Sequence, residues 1–238
     1  MTTLRLLALA SALLLLAACN RPALLLDANA DNLRTARQVA AAFYGEYGRT
    51  LNLKDEPFVT IGMEGGQGYS YDVAHNVLFV TPFSHADFDT QRIFAKACDG
   101  EHAAAAYDGL MFRFFAAHQL MHLVYDELPL APAGEYEEEL RINALTYLFL
   151  ERHDLLGGNA FDVHLAVLEE QLAARFPGLA SGRYAAATMP VDDNASYWYV
   201  TAVNLRTARA AAERTGSPGA YVASLEATEA SAAATPVH

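Results

Sequence analysis

An α+β fold, mostly helical with one small antiparallel sheet, is predicted by three features of this 238-residue sequence. Long stretches space their apolar residues three and four apart, the period of a helix with one buried face. Three short runs rich in aromatic and β-branched residues, "PFVTI", "GYSYDV" and "NVLFVT", lie close together between residues 57 and 81, as neighbouring strands do. With 53% hydrophobic residues and two cysteines, the core rather than a disulfide framework supplies the stability.

The chain opens with "MTTLRLLALASALLLLAAC", one early charge at Arg5 and then an apolar run, which reads as a signal peptide over residues 1–18. Leu16, Ala17 and Ala18 before Cys19 match a bacterial lipobox. Cleavage after Ala18 and acylation of Cys19 are therefore expected, with residues 19–30 as a lipid-anchored tether. Asn20 is not the aspartate that retains lipoproteins in the inner membrane, so the expected address is the outer membrane, facing the periplasm. Nothing after Cys19 is apolar for long enough to span a bilayer, which leaves acyl chains as the membrane attachment. A net charge of −12 argues against nucleic acid as a partner. Cys98 has no partner within the chain once Cys19 is acylated, and is expected as a buried free thiol.

One domain is expected over residues 31–224. Its first helix runs from Asp31 through Leu33, Ala36, Val39, Ala40, Phe43 and Tyr47 to a stop at Gly48. The three strands follow, the last two joined by a tight turn at Ala74, His75 and Asn76. The glycines of "IGMEGGQG" precede a strand and no lysine-serine pair, which favours a plain flexible loop over a phosphate cradle. Ser84 with Asp87 resembles a capping box and opens a helix to about Cys98. A proline-free stretch from Glu101 to about Glu127 predicts a central buried helix. Pro129 and Pro132 interrupt it, and Gly134 precedes a helix from Glu135 to Arg152. "LLGGN" breaks the chain before a helix over Phe161 to Phe176, closed by Pro177 and Gly178. Asp193 or Asn194 caps one more helix, reaching Thr215, in which "YWYV" packs into the core. The alanine-rich segment 225–238 reads as a disordered tail.

Chemistry concentrates in "HQLMH". His118 and His122 stand at i and i+4 on one helical face, so both imidazoles can reach a single ion. With eight histidines in the chain that spacing is weak by itself. His75, His85, His102, His153 and His164 sit in turns, helix ends or other helices and read as surface or structural. A zinc site needs a third ligand from another element, and Glu135, Glu137, Glu138 and Glu139 all open the following helix. At most one of them serves; the rest form a solvated first turn favoured by the helix dipole.

The succession "HQLMH", "LPLAPAG", "EELRIN" resembles the gluzincin metallopeptidases, and most closely a family of bacterial zinc metallopeptidases of uncharacterised function. There a histidine-glutamate-x-x-histidine helix is followed by a Leu-Pro turn ending in glycine and then by Glu-Glu-x-x-x-Asp. The resemblance covers about residues 69–150. It implies a zincin-like fold, zinc as cofactor, Glu139 as third ligand, Asn143 at the position of an orienting aspartate, and the hairpin "GYSYD"/"VLFVTPF" beside a substrate cleft. Asp126 shares the histidine stripe and is expected to orient His122.

Three departures bear on activity. The motif glutamate accepts a proton from the attacking water, and Gln119 in its place is an amide with no basicity near neutral pH. Met121 stands where glycine is usual and adds bulk close to the ligand face. Asn143 replaces an anion that would strengthen a histidine ligand. The expectation is a membrane-anchored lipoprotein of metallopeptidase type, catalytically impaired, binding a peptide or protein ligand. Two alternatives stay open: a peptidase that recruits Glu138 or Asp126 as base, and a metal-free structural envelope lipoprotein.

Overall fold

The computed structural model describes residues 29–62, 69–157, 159–175 and 194–234. Among these the protein is mostly helical with one three-stranded sheet, an α+β architecture. Residues 1–28, with the expected signal segment, Cys19 and most of the expected tether, lie outside the described residues, as do residues 63–68 of the glycine run, Pro177, Gly178 and Asp193; residues 29 and 30 of the expected tether are already helical. No helix among the described residues is long and apolar enough to cross a membrane.

Helix α1 (residues 29–47) buries Ala36, Val39, Ala40 and Phe43 completely, the stripe its apolar spacing predicts. It stops at Gly48, whose amide donates to the Tyr44 carbonyl at 2.9 Å. A Cβ there would lie 2.5 Å from that same oxygen, so only glycine fits.

Strands β1 (Phe58–Ile61), β2 (Tyr69–Asp72) and β3 (Val77–Val80) make a sheet in the order β1-β3-β2. β2 and β3 form the expected antiparallel hairpin, with Asn76 at φ 56 in its turn. β1, however, pairs with β3 in parallel, so the sheet is mixed rather than antiparallel. The physical reason is burial. β3 carries the fully buried Leu78 and Val80 and takes the centre. Chain direction then makes its second neighbour parallel, a pairing that alternation within a strand does not encode.

Helix α2 (Phe88–Ala97) is capped by Asp87, whose side chain accepts from the Thr90 amide, and not by Ser84. Ser84 belongs instead to a single 3-10 turn, Phe83–His85. Cys98 is buried and unpaired, and burial pushes its thiol up to about 11, as suits an inert core residue.

The central helix is one continuous run with a change of pitch. α3 (Asp99–Gly109) passes into a π-helical segment, Leu110–Phe115, and then into α4 (Ala116–Asp126). The wider turn lets Leu110, Met111, Phe112, Phe114 and Phe115 all point into the core, more than one stripe of a regular α-helix can bury.

Helices α5 (Glu135–Arg152), α6 (Asn159–Arg175) and α7 (Asn194–Thr215) follow, with α7 packed on both α5 and α6. Trp198, Tyr199 and Val200 of "YWYV" are buried, as predicted. The segment expected to be a disordered tail from residue 225 is instead helical to residue 234, the second half of α8 (Pro218–Ala234). Its alanines favour helix, and Tyr221 and Leu225 give it apolar contacts on the core.

α5 ends in a Schellman motif. The amide of Leu155 donates to the Leu150 carbonyl at 2.8 Å and that of Asp154 to Glu151 at 3.1 Å. Asp154 sits there at φ 55, a position that favours glycine. Asp154→Gly is therefore expected to stabilise the fold by about 0.5–1 kcal/mol, read as a higher denaturant midpoint at unchanged slope.

Candidate metal centre

The π-helical segment delivers α4 with His118 on its buried side, where the Phe115 ring meets the imidazole edge-on at 5.6 Å and Tyr69 of β2 does so at 6.5 Å. His122, one turn on, is 30% exposed and His118 only 2%. α5 then brings in one carboxylate. Glu139 turns an oxygen to each ring, Oε2 at 3.3 Å from His118 Nε2 and Oε1 at 3.7 Å from His122 Nε2. The two Nε2 atoms are 3.1 Å apart.

These separations are those a tetrahedral ion imposes. Two ligands bound at about 2.0–2.1 Å on tetrahedral directions lie about 3.3–3.4 Å from each other. Two imidazoles and a carboxylate are also a donor set that zinc takes. Among the described residues this is the single group of histidine, cysteine and acid side chains that can hold a metal ion. Two of the donors, His122 and Glu139, are in the right protonation state as well. Burial, and then the neighbouring His118, push His122 down to about 4, so its imidazole is neutral at pH 7. Burial works to raise the Glu139 carboxyl, but the hydrogen bond to His118 and the fields of both rings outweigh it and hold it below the usual value.

Glu139 faces inward because its neighbours are held elsewhere. Glu137 bonds Arg141 at 3.2 Å on the outer side of α5. Arg141 also reaches Glu229 of α8 at 2.9 Å, and Glu229 accepts from the Ala131 amide at 2.9 Å. The C-terminal helix thus clasps the proline turn that joins the two ligand-bearing helices, a contact between residues too distant in sequence to be read from it.

The orienting residues are placed differently from expectation. Asn143 is buried on α5, but its Nδ2 donates to Asn204 of α7 at 2.9 Å, and Asn204 donates to the Tyr136 carbonyl at 3.1 Å. An amide can donate where an aspartate could only accept, and it is drawn into the α5–α7 seam. Both Asn143 Oδ1 and His118 Nδ1 are buried without a hydrogen-bond partner. Asp126 is exposed; its charge acts on His122, but no hydrogen bond joins the two. Met121 is fully buried in the core. Gln119 is half-buried and makes no hydrogen bond among the described residues. The other described histidines with contacts are surface ties: His75 to Asp72 and His153 to Glu46, each at 2.6 Å, and His85 to Ser84 at 3.1 Å.

The pairing of two residues at the site carries no sequence signal. Tyr69 of β2 and Tyr197 of α7 share a hydrogen bond, O to O 2.6 Å, across 128 positions of chain. Tyr69 stacks on Phe115 with centroids 4.3 Å apart. Burial raises both phenols, and the nearby Glu139 carboxylate raises each further.

The depressed His122 makes the metal-free fold acid-labile. An unfolded histidine takes up its proton near 6.5 and the folded one only near 4, so unfolding binds a proton in between. Stability is full above 6.5 and falls as the pH drops towards 4, by about 2–3 kcal/mol from this residue after allowance for its exposure. Glu46, Glu139 and Asp87, all held below their usual values, add loss at lower pH, while Asp108, raised by burial, opposes them. Denaturation with a chelator present should show this slope, and His122→Asn should flatten it.

No protein-family model, curated protein or solved structure matches the chain.

Proposed function

We propose that this protein is a zinc-binding, zincin-like lipoprotein of metallopeptidase type whose catalytic glutamate has been replaced, and that it acts by binding rather than by hydrolysis. The convergence of His118, His122 and Glu139 to within 3.1–3.7 Å of one another, beside Gln119, carries this reading. Bound zinc supplies a Lewis acid there. The chain's own residues orient a ligand but have no base at position 119 to move a proton. An amide in place of the carboxylate leaves the ligand set complete and removes the proton acceptor, a combination that favours binding over turnover. The expected ligand is a peptide or protein segment. Supporting this, β2 is an outer strand of the sheet among the described residues, and it packs on α4, with its Tyr69 against His118. Acylation of Cys19 would hold the domain at the membrane surface, facing the periplasm.

Equilibrating the purified chain with zinc at micromolar free concentration and counting bound ions tests the reading. One zinc per chain is expected. None, or an unchanged count when alanine replaces both His118 and His122, would mean that the three side chains are only a buried polar cluster of a structural lipoprotein.

A further inference from the structure

We propose that the metal-loaded centre takes a carboxylate ligand, held by the cation together with the Tyr69–Tyr197 phenol pair and the Gln119 amide. The inference rests on the metal reading above and adds to it the chemical class of what is bound.

Charge is the first argument. Two neutral imidazoles and one carboxylate leave a divalent cation with a net charge of +1, and a tetrahedral ion with three protein ligands keeps a position open. A glutamate at position 119 would cancel that charge. Gln119 does not, so the centre as built is electrostatically suited to one monoanion. Access is the second argument: His122 and Glu139, at 30% and 28% exposure, place the open side towards solvent, while His118 closes the buried side at 2%.

Donors beside the ligand group, next to His118 and within the field of Glu139, are the third. Tyr69 is buried and fixed by its stack on Phe115 and its edge contact with His118. Tyr197 is half-buried and 2.6 Å away, O to O. Two bonded phenols share one proton and have a second to give. Neither forms a hydrogen bond with Glu139, although both feel its charge, so a ligand oxygen near that carboxylate competes for the second proton with Thr201, the hydroxyl beside Tyr197. Gln119 follows His118 by one residue and precedes His122 by three, which sets it about 100° and 60° from them around the helix. Its unengaged amide adds N–H donors on that flank. A cation, a phenol proton and an amide N–H are complementary to a two-oxygen anion, and charge-assisted bonds of this kind are the strong ones.

The full chain loaded with cobalt(II), whose visible spectrum reports its ligands, is the probe. It is titrated with acetate, with N-acetyl-trialanine bearing a free C-terminus, and with the same peptide amidated. Saturable spectral change with the free acids and none with the amide is expected. Acetate binding as tightly as the peptide would assign the site to small carboxylic acids; tighter peptide binding would assign it to C-terminal tails. Tyr197→Phe is expected to keep one cobalt per chain and lose roughly tenfold or more in carboxylate affinity, the weight of a hydrogen bond to a charged group. Tyr69→Phe should act in the same direction, and Gln119→Glu should also weaken binding by removing the net charge. If the parent binds no metal, the metal reading falls and this inference with it. If one metal is bound but acid and amide behave alike, or Tyr197→Phe binds as the parent does, only the carboxylate inference is overturned.

Discussion

Replacing Glu139 with alanine is expected to weaken zinc binding by roughly 10²–10³. Complete four-ligand protein sites hold zinc by about 10–16 kcal/mol at neutral pH, or about 2.5–4 kcal/mol for each ligand. Glu139 is the only anion of the three, so its loss also removes the charge that offsets the ion's transfer out of water. The fold should survive, because the side chain is 28% exposed and bonds only the two imidazoles. A chromophoric chelator competing for the ion measures the affinity directly. Thermal unfolding gives an independent readout: at a hundredfold excess over its dissociation constant a ligand adds about 2.7 kcal/mol, or roughly 5–10 °C for a chain of this size. The parent should show that rise and Glu139→Ala should not. Glu138→Ala is the control, since Glu138 makes no contact with either imidazole and should leave both readouts alone. Equal zinc affinity in the parent and Glu139→Ala would remove α5 from the centre.

What could be read beforehand and what could not divides along chain separation. α5 runs from Glu135 to Arg152, bounds legible from the prolines and Gly134 before it and the break at "LLGGN" after it, all local signals. His118 and His122 share a face by helical arithmetic alone. Glu139 was singled out from its acidic neighbours only through the resemblance of "LPLAPAG" and "EELRIN" to a known motif; spacing left four candidates. The structure brings that one to the two rings.

The misses are contacts made across the chain. Periodicity reports which face of a strand is buried, not which strand lies beside it, and so β1 was expected antiparallel. The motif places Asn143 where an orienting aspartate stands, but cannot say that its amide donates to Asn204, 61 residues away. Ser84 and Asp87 both fit a cap, and only Asp87 reaches an amide of α2. Tyr197 read as one aromatic in an apolar helix; its bond to Tyr69 is invisible until the hairpin is docked on α4. The alanine-rich sequence from residue 225 reads as disorder, yet it is helical to residue 234 and its Glu229 anchors the turn between the ligand helices.

Gln119→Glu is the substitution expected to change function most. Restoring a carboxylate at this position supplies the missing proton acceptor at nearly unchanged volume, and a positioned base contributes roughly 10²–10⁴ in rate. The gain should fall towards the lower end. His118 Nδ1 and Asn143 Oδ1 both lack partners, and an imidazole ligand without its orienting bond commonly costs about 10–100-fold in affinity or activity. Zinc-loaded Gln119→Glu should cleave an unfolded protein substrate, sensitive to chelation, where the parent shows no cleavage. A parent that already cleaves at the same rate would mean that another group serves as base and that the centre is a working peptidase. The same substitution cancels the net charge of +1 at the loaded site, so anion affinity should drop as hydrolysis rises. Those opposite movements exclude a trivial explanation, because a variant whose centre had merely been disrupted would lose zinc, anion binding and cleavage together.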